Sequence, residues 1–184
     1  MKRLDRAFYA REAAEVARSL IGCALVHGDR AGMIVETEAY IGPEDRACHA
    51  RFGPTARTSV MFGPAGKSYV YLCYGIHEMF NIVTGPDGDG QAVLVRAIAP
   101  LAGLPDDPHV GRGPGKVTRA LAIDRATCDR LDLTTAELYV AEHATPPKVA
   151  VGPRIGVDYA GHWAKRKLRF WWRDHESVSR APRA

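Results

Sequence analysis

The stretch that decides the fold occupies residues 32–40 and consists of Gly-Met-Ile-Val-Glu-Thr-Glu-Ala-Tyr. Its β-branched and aromatic residues favour a strand, and the Ile-Gly-Pro sequence at 41–43 predicts a tight turn at its end. Two more runs of this kind, 68–73 and 91–97, are also bounded by glycine and proline clusters. We therefore expect the three runs to form strands of one sheet.

Helical patterns lie on either side of these strands. Over 5–20 the apolar residues recur at the spacing of one helix face and Gly22 follows as a stop, which predicts one N-terminal helix. Residues 117–123 predict a second, short helix, whereas 133–140 fit either a helix with a capping box or a strand. The segment 100–110, rich in proline and aspartate, predicts a loop inside the domain.

The composition points to a globular chain. Of its 184 residues, 46% are hydrophobic and 25% are charged, so we expect one domain over 1–184 and exclude a disordered or collagen-like chain. No apolar run approaches the length of a membrane span, and the charged N-terminus lacks the apolar region of a signal peptide. We expect a soluble, cytoplasmic protein. The four cysteines are far apart, which predicts neither a disulfide framework nor a zinc site.

The positive charge is concentrated at the C-terminal end. Residues 151–184 contain eight Lys or Arg against three Asp or Glu, while the rest of the chain is close to balance. Within 162–173 the cations alternate with aromatic residues, a pattern suited to contacts with phosphates. A solvated basic strand beside core tryptophans explains the same composition, so both interpretations remain open at this point.

Two carboxylates stand out in the first strand. A period of two puts Glu36, Glu38 and Tyr40 on the same side as Ile34. Charged residues on a strand are often no more than its solvent face. Because this strand ends at a tight turn, where a rigid element meets a loop, a catalytic role is the second interpretation.

Tyrosines are dense between residues 40 and 74. Tyr40, Tyr69, Tyr71 and Tyr74 lie in this window together with His49. They could pack a core, with each hydroxyl bonded to a buried partner. They could also form an aromatic slot for a flat and especially a cationic heterocycle, with a carboxylate at its mouth as a general base.

A glycine-rich turn at 111–117 is similar to a phosphate-binding loop but lacks the first glycine and the terminal Ser or Thr of that motif. The turn therefore does not support nucleotide hydrolysis. Its backbone N–H groups and Lys116 could still contact a phosphate.

Seven segments carry a family resemblance over nearly the whole chain, in order. They are Ile-Val-Glu-Thr-Glu-Ala-Tyr-Ile-Gly-Pro-Glu-Asp at 34–45 with His49, Met61-Phe62-Gly63, Tyr69-Val70-Tyr71 with Tyr74-Gly75, Asn81-Ile82-Val83, the run 92–97, Gly113-Pro114-Gly115-Lys116 and Pro153-Arg154-Ile155-Gly156-Val157. Together they resemble the alkyladenine (3-methyladenine) DNA glycosylase family. The resemblance implies a mixed α/β (α+β) single domain, with a curved antiparallel sheet flanked by helices. It also implies an enzyme that flips a damaged purine out of the duplex and hydrolyses its bond to deoxyribose.

The resemblance also assigns catalytic roles. Glu38 would be the general base that activates water, and Arg96 would help to hold that water and the nearby sugar-phosphate. Glu36 inherits no catalytic role and is expected to be structural.

Binding roles follow in the same way. Tyr40, His49 and Tyr71 would form the slot around the extruded base, and Asn81 would disfavour the 2-amino group of guanine. Tyr74 would be the wedge left in the base stack. The residues expected to contact the DNA backbone are Ile76 and His77 at the loop tip, Lys116, and Lys165, Arg166 and Lys167.

The expected partner is double-stranded DNA that carries a damaged purine of the 3-methyladenine, 7-methylguanine, hypoxanthine or ethenoadenine class. We expect a monomer without metal or cofactor, associated with the nucleoid if the source is bacterial. Two alternatives are a base-flipping module without catalysis, which would need no carboxylate base, and a bifunctional glycosylase and lyase using Lys67 or Lys116 as the amine nucleophile.

Overall fold

The computed structural model describes residues 1–144 and 148–179. Its main element is a curved antiparallel sheet, and the order along its main path is β3-β4-β5-β2-β1-β7. Strand β6 pairs with β5, and β9 pairs with both β2 and β8. The strands in the described ranges are β1 Ala24–His27, β2 Arg30–Tyr40, β3 Ser68–Cys73, β4 His77–Thr84, β5 Gln91–Ala102, β6 Gly111–Arg112, β7 Leu138–Ala141, β8 Val149–Gly152 and β9 Arg169–Trp172.

Short helices flank this sheet, which confirms the expected mixed α+β class. The α-helices are α1 Arg6–Tyr9, α2 Ala13–Ser19, α3 Pro114–Ala120 and α4 Arg125–Cys128, with 3₁₀ segments at His49–Phe52, Ser59–Phe62 and Asp158–Lys165. The second predicted helix thus begins three residues early, at a proline suited to the first turn. In the ambiguous segment 133–140, only the end is regular, and it is a strand. Among the described residues, no helix is long and apolar enough to cross a membrane.

The prediction of a single N-terminal helix over 5–20 is wrong, because the structure has two helices, α1 and α2, with a break between them. At the break, the backbone N–H of Gly85 donates to the carbonyl oxygens of Tyr9 and Arg11. The side-chain oxygen of Gln91 accepts from the N–H of Ala13 at 2.8 Å. Backbone groups that a continuous helix would bond internally are bound by the sheet instead, so the chain turns before α2.

The expectation that Ile34 shares a face with Glu36 and Glu38 is also wrong, because β2 and β5 contain bulges. Ile34 pairs with Ile98 and Glu36 pairs with Ala97, so Val35 is an extra residue on β2. Arg96 is likewise an extra residue on β5, because the next pair of residues along the two strands passes over it. A bulge redirects the side chains that follow it.

The main core lies on the face of β2 that carries Ile34. Thr37 and Ala39 also point to this side, where the Thr37 hydroxyl donates to the carbonyl of Ala17 in α2 at 2.8 Å. Val93 and Val95 of β5 complete this face of the sheet. The alternate residues, with Glu36, Glu38 and Arg96 among them, therefore project from the opposite face.

A buried ion pair attaches the segment 153–157 to the end of β2. Arg154 donates through both terminal nitrogens to the carboxylate of Asp45, and one of them also donates to the carbonyl of Ala39 at 3.0 Å. Both side chains of the pair are completely buried. The guanidinium lies 4.8 Å from the centre of the Tyr40 ring. This pair fixes the position of residue 155, which contributes to the site described below.

Replacement of Arg154 with methionine should lower the free energy of unfolding by about 3–5 kcal/mol, because it leaves the buried Asp45 carboxylate without its cation. Urea denaturation monitored by circular dichroism measures the change. The matched control is Arg173→Met, since Arg173 is exposed and should tolerate the same substitution with little effect. Similar losses in both variants would contradict the role assigned to the pair.

Candidate active site

A cavity of about 390 Å³ opens on the face of the sheet opposite the main core. Strands β2 to β5 contribute to its wall, together with the segment 47–61 and the segment 155–159. Its polar and aromatic lining residues are Tyr40, His49, Arg57, Tyr69, Tyr71, Tyr74, Asn81, Arg96 and Tyr159. The structure therefore brings six of the predicted site residues together around one cavity, namely Tyr40, His49, Tyr71, Tyr74, Asn81 and Arg96.

Glu38 lies beneath this lining and is completely buried. One carboxylate oxygen accepts from the backbone N–H of Ile155 at 2.8 Å, and the other accepts from the Tyr40 hydroxyl at 2.9 Å. The prediction of a carboxylate at the mouth of the slot is therefore wrong for Glu38. The side chain lies under the wall because its strand is central in the sheet.

Arg96 joins the two carboxylates of β2. Its Nη1 lies 3.3 Å from Glu38 Oε2 and its Nε lies 3.3 Å from Glu36 Oε1. Burial works against the charged guanidinium, but the neighbouring Glu38 and Glu36 carboxylates raise the pKa of Arg96 above its usual value. Arg96 is therefore a permanent cation beside Glu38. Because a carboxylate has about four lone-pair positions, Glu38 can still accept from one water molecule.

Glu36 is bound from its other side by the C-terminal part of the chain. Arg169 Nε donates to Glu36 Oε1 at 2.6 Å, and the backbone N–H of Ser179 donates to Oε2 at 2.7 Å. Two carboxylates and two guanidinium groups, from Glu36, Glu38, Arg96 and Arg169, thus balance one another in a largely buried cluster.

The Tyr40 hydroxyl is placed to donate a hydrogen bond to Glu38 and does not ionise. Burial, followed by the negative charge of Glu38, raises its pKa well above the usual value of tyrosine. The hydroxyl therefore keeps its proton and donates it to the carboxylate.

His49 and Tyr71 form one aromatic corner of the cavity, with ring centres 4.6 Å apart. Behind them, Arg57 Nε donates to the Tyr69 hydroxyl at 3.1 Å, and this hydroxyl lies 3.0 Å from Nδ1 of His49. Because a guanidinium can only donate, the Tyr69 proton is free for Nδ1, and the imidazole carries its own proton on Nε2. Burial, with the charges of Arg57 and Arg51, lowers the pKa of His49 to about 4.

Arg57 was missed by the sequence interpretation, and Tyr69 was noted there without a role. Arg57 carries no local signal, and the tyrosine-rich window gave Tyr69 only a general place in the slot. They reach His49 because the loop after residue 52 folds over β3, so only the tertiary structure identifies them.

Tyr74 stands at the tip of the β3–β4 hairpin and is 92% exposed. The interpretation of Tyr74 as a core residue is therefore excluded. Tyr74 and Gly75 both have positive φ angles, of 51° and 72°, as the two central residues of a tight hairpin turn require. Asparagine, aspartate or glycine would fit this backbone better than tyrosine. A strained, exposed aromatic residue points to a role for its side chain.

The tip of the hairpin consists of residues 74–76, and Ile76 is 71% exposed. His77, which was expected at the tip, belongs instead to β4 and pairs with Cys73. A β-carbon on Gly115 would lie 3.0 Å from the His77 ring, so the two residues are packed closely. His77 is therefore held against the start of α3.

Asn81 lines the cavity and is almost fully buried. Its amide nitrogen donates to the carbonyls of Tyr69 and Met79 at 3.1 and 3.3 Å. Its oxygen, an acceptor, is left for the cavity.

The basic C-terminal segment divides into two kinds of residue. Trp163 and Phe170 are buried and Trp171 and Trp172 are partly buried, so the interleaved aromatic residues are at least partly packed into the protein. Lys165, Arg166 and Lys167 are exposed, and Arg166 lies 4.7 Å above the Trp163 ring. Lys116 is also exposed, and its amine donates to the carbonyl of His109. None of these four cations belongs to the lining of the aromatic cavity in the part of the chain that the structure describes.

Comparisons with known proteins agree with this geometry. A family model described as methylpurine-DNA glycosylase (MPG) matches residues 7–176. A protein of Myxococcus xanthus (strain DK1622) is 52% identical and aligns over 99% of this chain and 96% of its own length. A protein of Anaeromyxobacter dehalogenans (strain 2CP-1) is 53% identical over 98% and 87%. A third, from Legionella pneumophila (strain Corby), is 44% identical over 98% and 100%. All three bear the name "Putative 3-methyladenine DNA glycosylase".

Replacement of Arg57 with glutamine should raise the pKa of His49 from about 4 towards its usual 6.5, because a nearby positive charge is removed while burial remains. An NMR titration of the imidazole Cε1–H signals measures the shift, with His49→Gln used to assign the signal. Arg125→Gln, on exposed α4, is the control and should leave the titration unchanged. An unaltered His49 titration in Arg57→Gln would contradict the arrangement described above.

Proposed function

This chain belongs to the methylpurine-DNA glycosylase family, and on that premise we propose that it removes damaged purines from double-stranded DNA by hydrolysis of the N-glycosidic bond. The observation that carries the proposal is the buried Glu38. Its carboxylate is held by Ile155, Tyr40 and Arg96 directly beneath an aromatic cavity.

The cavity would receive the base after it leaves the stack. Tyr71 and His49 offer ring surfaces on which a purine can stack, and such stacking contributes about 1–3 kcal/mol per base. Extrusion costs a few kcal/mol, so stacking recovers part of that cost. Tyr74 at the exposed hairpin tip would fill the gap that remains in the duplex.

Glu38 would accept a proton from the water molecule that attacks the sugar carbon. General-base catalysis of this kind contributes about 10²–10⁴-fold. Arg96 places a positive charge beside the carboxylate and would contact the adjacent sugar-phosphate. An N3- or N7-alkylated purine is already cationic, so its glycosidic bond needs little further activation.

The substrate class that we propose is 3-methyladenine, 7-methylguanine, hypoxanthine and ethenoadenine. For the neutral members of this class the leaving group needs a proton or a hydrogen-bond donor. His49 would provide the donor Nε2–H and not the proton, since its lowered pKa keeps the ring neutral near pH 7. Asn81 would exclude guanine by steric contact only, because its free oxygen would accept a hydrogen bond from the 2-amino group.

A base-flipping module without catalysis is less well supported. Such a module has no need for a buried carboxylate with three donors, and burial of a charge is costly unless it is paired. The bifunctional alternative is also less well supported, because Lys67 lies 3.4 Å from Asp132 and no described lysine belongs to the cavity lining. A monofunctional hydrolase therefore fits the site best.

Contact with the DNA backbone would involve the cations outside the cavity. Lys116, Lys165, Arg166 and Lys167 are exposed and would each add affinity that depends on salt and not on sequence. Ile76, exposed beside Tyr74 at the hairpin tip, would contact the DNA backbone there. We propose that one copy of the chain, acting as a single domain in the cytoplasm, is sufficient for this binding.

Glu38→Gln should lower the single-turnover rate of base release by at least about 10²-fold while the Kd for the damaged duplex stays close to that of the wild type. The amide keeps the shape and can accept a hydrogen bond, but it cannot act as a base. Glu15→Gln, at an exposed position of α2, is the matched control. A near-normal rate in Glu38→Gln would remove this residue from the mechanism.

Tyr74→Ser should reduce excision from fully paired duplexes by about 5- to 150-fold, which corresponds to the loss of one stacking interaction. Excision from mismatched or single-stranded lesions should fall less, because those bases need less help to leave the stack. The melting temperature should hardly change, since the ring is exposed. Tyr74→Phe keeps the stacking surface and should behave like the wild type. Equal losses on all substrates would argue against a wedge.

A further inference from the structure

A second cavity, of about 630 Å³, lies beside the aromatic cavity. The two share one wall, made of Arg96, Pro114 and Ile155. The remaining residues around the second cavity are His109, Arg112, Gly113 and Ser179. The function proposed above assigns no role to any of these four residues.

Among the described residues, the charge of Arg112 is not balanced by a carboxylate. Its Nε donates to the carbonyl of Val178 at 2.8 Å, and its Nη1 lies 3.1 Å from Nδ1 of His109. Within the described ranges, no acidic side chain forms an ion pair with it. The acidic groups nearby are otherwise engaged: Asp107 accepts the backbone N–H of His109, and Glu36 accepts that of Ser179.

Most polar side chains of this cavity are donors, and the Ser179 hydroxyl can both donate and accept. Because Arg112 donates to Nδ1 of His109, that imidazole carries its proton on Nε2. The hydroxyl of Ser179 belongs to a residue that is 7% exposed and has no hydrogen-bond partner in the described part of the chain. Arg112, Arg96 and the Nε2–H of His109 can only donate, and the Ser179 hydroxyl can donate as well, so the cavity suits a ligand that accepts hydrogen bonds.

We propose that the second cavity binds a phosphodiester group of the substrate strand beside the extruded nucleotide, with Arg112 as its principal cation. A nucleotide whose base occupies the aromatic cavity must carry its sugar past the shared wall. Its flanking phosphates are then the anions closest to the second cavity. Arg112 would hold the strand in position while Glu38 directs water at the sugar. This inference rests on the proposed function.

The test combines Arg112→Gln with single methylphosphonate substitutions. Duplexes that contain one hypoxanthine would carry a neutral methylphosphonate at one phosphate at a time around the lesion. The half-saturating enzyme concentration for base release is measured under single-turnover conditions for the wild type and for Arg112→Gln. The arrangement resembles a double-mutant cycle, in which two changes that affect one contact are not additive.

We expect one phosphate next to the lesion at which the substitution weakens wild-type binding by about 10-fold, as for loss of a charged hydrogen bond. Arg112→Gln should show the same weakening on unmodified duplex and no further loss at that phosphate. The slope of log K against log salt should become shallower by about 0.9. Arg112→Lys keeps the charge and should recover most of the salt slope, which separates the anion contact from the contact with Val178. Arg125→Gln is the matched control and should behave like the wild type.

Other outcomes would overturn the inference. If Arg112→Gln keeps the wild-type pattern at every phosphate, the cavity does not bind the substrate strand. If, in addition, inorganic phosphate shifts the NMR signal of His109, the cavity is a site for small anions instead. If the wild type releases the base normally but Arg112→Gln leaves the effect of every methylphosphonate unchanged, only this inference is refuted. If the wild type releases no base, the proposed function is refuted as well.

Discussion

The structure depends on keeping two carboxylates charged inside a sheet. Glu36 and Glu38 are completely buried on β2, and such charges are tolerated only when they are paired and hydrogen-bonded. Arg96 crosses between them, Arg169 binds Glu36 from the far side, and backbone N–H groups occupy further lone pairs. The chain has to bring β5, β9 and the segment after residue 152 together around β2 to satisfy these two groups. The cluster that supports the proposed chemistry is thus also a reason for the topology.

The same requirement links the site to distant parts of the fold. The bidentate pair of Arg154 and Asp45 fixes the segment that provides the Ile155 N–H to Glu38. Ser179 donates its backbone N–H to the Glu36 carboxylate and also lines the second cavity. A residue such as Arg169 can therefore influence the site through Glu36 and Arg96 without touching the substrate.

The residues that we propose for chemistry and for DNA contact lie on different kinds of structure. Glu38 and Arg96 lie on central strands whose neighbours hold them rigidly, as precise proton transfer requires. Tyr74 lies on an exposed hairpin tip in a backbone conformation that costs energy. The exposed lysines lie further out. A central, rigid pair that we propose for catalysis, beneath a more accessible edge that we propose for DNA contact, suits an enzyme whose substrate must be deformed before it reacts.

The sequence by itself predicted three strands of the sheet, the mixed fold class and six residues that line the cavity, because periodicity, turn residues and family motifs are local and keep their order along the chain. It did not determine the faces of β2 near Ile34, since a single bulge reverses the alternation and depends on pairing with β5. Nor did it determine the break between α1 and α2, which Gly85 and Gln91 impose from the sheet. The contacts of Arg57 and Arg112 likewise depend on the tertiary structure. Their hydrogen-bond partners lie elsewhere in the sequence, so these bonds exist only once the sheet has formed.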